Sequence, residues 1–215
     1  MATSIGTTEL SAAISRIRDI MQGKRDYLIQ IDGEMGDGDL GITMDKAFTA
    51  ADEFMQSQDS ETDAGKALMQ MGMAMAKAAP STMGTLLATG FMRAGKAVQG
   101  KDGLYTADLA TAFDAFVKGL MERGKSKAGE KTIIDVMLPA AEALRKHAKA
   151  SPSEAFEAAY QAAVQGLEET KNMKAQHGRP AYYQEKSLGK PDPGGTAGLY
   201  IVQGFKDHFA ANEAG

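Results

Sequence analysis

The 215-residue chain has no cysteine and no tryptophan, only three histidines and only six prolines. Without cysteine, disulfides and thiolate zinc sites are excluded, and a cytoplasmic setting is expected. His147, His177 and His208 stand far apart and form no metal-ligand spacing. No apolar run approaches the roughly 20 residues of a membrane span, and no N-terminal stretch reads as a secretory signal, so no membrane association is expected. Runs of lysine or arginine are also missing. With a net charge of −4 and an isoelectric point near 5.5, nucleic acid is not an expected partner. Strand-favouring residues are sparse, whereas alanine and methionine, both good helix formers, are abundant. One domain over residues 1–215 is long enough to bury a sizeable core.

Apolar spacing predicts eight helices. Leu10, Ile14, Ile17 and Met21 mark the first, which runs toward an acidic loop; Met44, Phe48, Ala51 and Met55 mark the second. Leu68, Met71 and Met75 form one stripe of the third and Met69 and Met73 another, which reads as a helix buried on two sides with methionine filling gaps. A fourth covers about Thr85 to Val98. Leu109, Phe113, Phe116 and Leu120 belong to the fifth, with Gly124 just past its last turn. The sixth starts near Thr132, and Pro139 should kink or break it. Ser151, Pro152 and Glu154 give the seventh a strong start signal. The eighth follows Pro193-Gly194-Gly195. Short connections imply an all-α bundle of antiparallel neighbours. The exception is the polar stretch Asn172 to Gly195; structureless segments of that length are often functional.

The chemistry concentrates in Asp32-Gly33-Glu34-Met35-Gly36-Asp37-Gly38-Asp39-Leu40-Gly41. Three carboxylates this close repel unless a cation lies between them, and hard oxygen ligands favour Mg²⁺ or Ca²⁺. The glycines allow tight turns, and a helix start follows at once, where phosphate is favoured. A plain solvated turn is the competing reading. An EF-hand does not fit: counting from Asp37, position five is Gly41 and position twelve is Phe48. Three further segments carry weaker signals. Pro80-Ser81-Thr82-Met83-Gly84-Thr85 suits phosphate, though a simple Ser/Thr cap is preferred on that segment alone. Arg123-Gly124-Lys125 with Gly129-Glu130-Lys131-Thr132 could hold a nucleotide or only turn the chain. Arg179, alone, reads as an ordinary surface charge, but beside a metal-phosphate site it could neutralise a transferred phosphoryl group. No Walker A loop occurs.

Taken in order, these segments resemble the nucleotide-binding L-subunit (DAK2-type) family of dihydroxyacetone kinases. The residues that carry the resemblance are Asp32 to Met44, Gly129 to Asp135, Gly178 to Tyr182 and Glu185 to Gly194, so it spans essentially the whole chain. It implies a barrel of eight antiparallel helices with the nucleotide at one end. Asp32, Asp37 and Asp39 would hold two Mg²⁺ ions on the phosphates of ADP or ATP. Leu40, Gly41, Ile42 and Thr43 would touch phosphate, and Arg179 would face it. Thr82, Met83, Gly124, Ile133, Asp192, Pro193 and Gly194 would enclose the nucleotide. The implied activity is phosphoryl transfer to a small ketose held on a separate K-type subunit, with ATP or a phosphotransferase-system protein as donor. A homodimer is one open oligomeric state.

Three positions depart from the family pattern. Leu40 stands where histidine is common, Thr43 where asparagine is usual, and Pro80 to Gly84 replace a glycine-rich phosphate segment. These departures bear on the acceptor and donor more than on the fold, and a tetrose would fit as acceptor. The alternatives are the nucleotide-binding component of a fatty-acid kinase and a non-catalytic nucleotide-binding module. A Mg²⁺-dependent phosphohydrolase is weaker, because no dedicated general base stands out.

Overall fold

The computed structural model describes residues 4–213, and among these it contains no strand, only an isolated bridge between Ile5 and Leu104. The helices are α1 (Thr7–Gly23), α2 (Arg25–Gly33), α3 (Leu40–Gln56), α4 (Ala64–Ala78) and α5 (Thr82–Val98). They continue as α6 (Thr106–Gly124), α7 (Ile134–Lys146), α8 (Pro152–Thr170) and α9 (Pro193–Glu213), with a 3₁₀ segment at Arg179–Ser187. Packing partners run α1–α3–α4–α5–α6–α7–α8–α9 and back to α1. Among the described residues, eight of the helices therefore close a ring; the apolar spacing predicts the eight helices, and the family resemblance implies the barrel. The ninth, α2, is the piece of the expected first helix beyond Lys24, and it packs on α3 and α9.

Glycine sets the closeness of several crossings. A Cβ on Gly65 of α4 would lie 2.5 Å from the Gly95 carbonyl oxygen of α5, and a Cβ on Gly204 would lie 3.0 Å from the backbone nitrogen of Ile17. The second contact draws α9 against α1 and closes the ring. Inside it, Phe113 meets Phe156 and Phe205 edge to face, with centroids 5.4 and 5.3 Å away, and Phe156 stacks on Phe205 at 5.2 Å. Leu10, Ile14, Met44, Phe48, Met71 and Met75 complete the buried interior.

Four local expectations need correction. Met73 is 55% exposed, so α4 buries the Leu68-Met71-Met75 stripe and leaves part of the other stripe in water. Helix α7 runs unbroken through Pro139. The proline removes the amide that would have bonded the Asp135 carbonyl, and Gly166 of α8 packs directly on that carbonyl. Helix α6 includes Gly124, and the left-handed residue that ends it is Lys125 (φ 50°, ψ 40°). Helix α9 starts at Pro193, with Gly194 and Gly195 inside its first turn, because the Asp192 carboxylate accepts the Gly195 amide at 2.6 Å. The α8 start is as read: Ser151 and Glu154 exchange side-chain-to-amide bonds of 3.2 and 3.3 Å.

Candidate functional site

One end of the ring carries the acidic loop. Asp32 lies in the last turn of α2, where its carbonyl accepts the Gly36 amide at 2.6 Å and its carboxylate accepts the Leu40 amide at 3.3 Å. Those bonds fold the loop back on itself. A side chain at Gly36 would collide with the Asp32 carboxylate, and Gly38 takes a left-handed φ of 71°. As a result, Asp32, Asp37 and Asp39 each present an oxygen within 4.8 Å of the other two. Burial pushes the Asp39 carboxyl above its ordinary range, and the charges of Asp37 and Asp32 push it further; Arg179 opposes both. The Arg179 guanidinium pairs with Asp37 at 2.8 Å. Three crowded oxygen donors on a tight loop match the chemistry of Mg²⁺.

Beside the carboxylates lies a cavity of about 420 Å³. Asp32, Asp37, Asp39 and Leu40 line it on one side, Thr82 and Met83 on another, and Gly124 and Ile133 on a third. Arg179, Asp192, Pro193 and Gly194 complete the wall. Residues far apart in sequence meet because α3, α5, α7 and α9 all begin at this end. Four helix N-termini bring partial positive charge to one place. At α5, the Ser81 hydroxyl accepts the Gly84 amide at 3.0 Å, leaving those of Thr82 and Met83 without an intrahelical acceptor. The Pro80–Gly84 segment therefore still offers a capped helix start.

Three expected phosphate contacts are not brought to the wall. Gly41 lies against the Arg25 carbonyl of α2, where it permits the α2–α3 approach. Ile42 is 37% exposed, outside the cavity lining. Thr43 is buried, with its hydroxyl 3.4 Å from that of Ser81, and so ties α3 to the α5 cap.

Lys131, from the weaker Gly129–Thr132 segment, and the expected Asp192 both line the cavity, together with His177, which the sequence did not mark as a site residue. Lys131 is almost fully buried, has a left-handed φ of 59°, and donates from Nζ to the carbonyls of Thr170 and Lys190, both at 2.6 Å. Burial lowers its pKa, and nearby Asp192 opposes that. Asp192, buried at the start of α9, has its pKa pushed up to about 7 by burial, against the Gly195 amide and Lys131, with Asp135 and Asp32 adding to the rise. His177 lines the cavity and lies 2.6 Å from Glu130. The partners are separated by 39, 59 and 47 positions, so no sequence spacing announces them.

A model of the DAK2 domain matches residues 34–207. The chain belongs to the DAK2 domain family. Over 202 residues this DAK2 domain is 32% identical to the "PEP-dependent dihydroxyacetone kinase, ADP-binding subunit DhaL" of Escherichia coli (strain K12), covering 93% of this chain and 96% of the relative. It is also 32% identical over 199 residues to the L-erythrulose kinase of Pectobacterium atrosepticum, covering 90% of this chain and 33% of that longer protein. Its structure is similar to that of the dihydroxyacetone kinase from C. freundii in complex with AMP-PNP and Mg²⁺, with a TM-score of 0.73 at 20% identity. That likeness covers 96% of this DAK2 domain and 35% of the other chain, and it establishes the shared all-helical fold. Among the described residues, no helix is long and apolar enough to cross a membrane.

Proposed function

We propose that this chain is the nucleotide-binding, phosphoryl-transferring subunit of a two-component kinase for dihydroxyacetone or a related small ketose. One observation carries the reading. Three clustered carboxylates, an arginine and four helix N-termini share one cavity, in a chain that matches a named ADP-binding subunit over nearly that protein's whole length. In this reading residues 1–215 act as a single nucleotide-binding domain. Asp32, Asp37 and Asp39 would hold two Mg²⁺ ions, which would offset the charge of the phosphates of ADP or ATP.

The chain's own groups do the rest. First-turn amides at Thr82, Met83 and Gly194 meet phosphate oxygens, beside Leu40, whose own amide holds the Asp32 carboxylate. Met83, Leu86, Leu120, Ile133 and Pro193 give an apolar wall for the nucleoside. Arg179 neutralises charge on the transferred group, and a protein nucleophile is not required. Gly41 and Thr43 act from behind, by fixing α3 against α2 and α5.

The ketose is held on a separate K-type subunit. The E. coli relative is named PEP-dependent, which favours a phosphotransferase-system protein that rephosphorylates bound ADP over free exchange with ATP. The Pectobacterium relative makes L-erythrulose the second acceptor to test. Relatives named for ketose kinases disfavour the fatty-acid alternative. The assay measures sugar phosphate formed by this chain alone, by a K-type partner alone and by the pair, with dihydroxyacetone and with L-erythrulose. Only the pair should turn over. Robust phosphorylation by the isolated chain would contradict the two-component reading.

A further inference from the structure

Arg179 is 66% exposed, and the Asp37 carboxylate, itself 41% exposed, is its ion-pair partner. A long side chain in that setting keeps much of its rotamer freedom, and one exposed ion pair restrains it weakly. Its aim must come from the backbone that carries it. That backbone is tied down two residues earlier: His177 Nε2 lies 2.6 Å from Glu130 Oε2, and the Gln176 amide donates to the Glu130 carbonyl at 3.3 Å. Between the tie and the arginine stands Gly178 at φ 62°, ψ −159°, a conformation essentially reserved for glycine, so the corner is sharp and specific.

Glu130 is itself held. Its carboxylate accepts the Lys127 amide at 2.9 Å, and its pKa is lowered first by the hydrogen bond with His177 and then by that amide. The next residue, Lys131, grips the loop's two ends through the Thr170 and Lys190 carbonyls. Two adjacent residues thus fix both the base and the neck of the loop that bears Arg179.

We propose that the Glu130–His177 pair is a positioning device that aims Arg179 at the terminal phosphate of the bound nucleotide. The inference rests on the nucleotide-subunit reading above. His177 lines the cavity, so the rival is direct contact between its ring and the ligand. A double-mutant cycle separates the two.

The full chain is titrated calorimetrically with Mg²⁺-AMP-PNP and Mg²⁺-ADP as wild type, His177→Ala, Arg179→Ala and the double variant. His177→Ala should weaken AMP-PNP about tenfold in the wild-type background and less than about twofold in the Arg179→Ala background, the coupling of residues that act as a unit. ADP should change less in both. His177→Gln can still donate to Glu130 and should keep most of the affinity, whereas Glu130→Ala, which leaves no acceptor, should reproduce the His177→Ala pattern. Should His177→Ala fail to fold, the Glu130→Ala cycle decides alone. Equal losses in both backgrounds, or no loss in the wild-type background, overturn the positioning role while nucleotide binding stands. A wild-type chain that binds neither nucleotide overturns the functional reading and this inference with it.

Discussion

In the barrel interior, Phe113, Phe156 and Phe205 pack in edge and stacked pairs, whereas at the cavity end three carboxylates crowd within 4.8 Å of one another. The interior is complete by itself. The cavity end is not: it adds a buried Asp192 and a buried Lys131 to the carboxylate cluster, and a ligand with cations would relieve what the fold leaves strained. Stability and binding are therefore assigned to opposite parts of the same helices. The apolar stripes close the ring, and the helix starts and loop residues at one end build the cavity.

The division can be broken from either side. Phe156→Ala should lower the unfolding free energy by about 4 kcal/mol through cavity formation, yet leave Mg²⁺-ADP affinity of the folded protein unchanged. Chemical denaturation paired with calorimetry checks both halves, and a parallel loss of affinity would erase the distinction. Arg179→Ala should do the reverse. Transfer to the ketose by the reconstituted pair should slow by about 3 kcal/mol of transition-state stabilisation, with stability untouched and ADP affinity much less affected. Rates and thermal midpoints for the variant would show it. A fall in midpoint matching the fall in rate would mean that Arg179 is structural.

A smaller effect sharpens the comparison. The Asp192 carboxyl is raised in the fold from 3.8 to about 7, so the fold favours its neutral form. That contribution is fully present below pH 3.8 and is lost as pH rises through about 7. Asp192→Asn keeps an acceptor for the Gly195 amide but cannot ionise. In nucleotide-free protein its stability advantage over the parent should be near zero at pH 4 and should grow up to about pH 8. Melting curves that stay parallel across that range would contradict the buried-charge account.

How legible each region was follows from the range of its interactions. The α8 start was readable because Ser151, Pro152 and Glu154 lie within four residues and cap the helix locally. The carboxylate triad was readable for the same reason, and the apolar spacing predicted eight helices, while their closure into a ring was implied by the family resemblance. Pro139 misled because the packing that tolerates it comes from Gly166 on another helix. The break at Lys24 carries no proline and no composition change. Thr43 matched a phosphate-binding segment, but the turn of α3 points it at Ser81. Glu130 and Lys131 stood in a segment of weak signal, but their partners Thr170, Lys190 and His177 could not be read, since they arrive only when the ring closes. The acidic motif marked the carboxylate end of the cavity; the fold supplied the contacts that hold the loop of Arg179.

The central claim is that nucleotide reaches the carboxylates only through cations, because three carboxylates and a polyphosphate repel each other directly. Calorimetric titration of the metal-stripped chain with ADP, once in Mg²⁺ and once in EDTA, tests it most directly, with Asp37→Asn as the control. The account predicts binding in Mg²⁺, none measurable in EDTA, and none in either condition for Asp37→Asn, whose nucleotide-free melting midpoint is unchanged or raised because like charges are relieved. Equal ADP affinity in Mg²⁺ and in EDTA would contradict it.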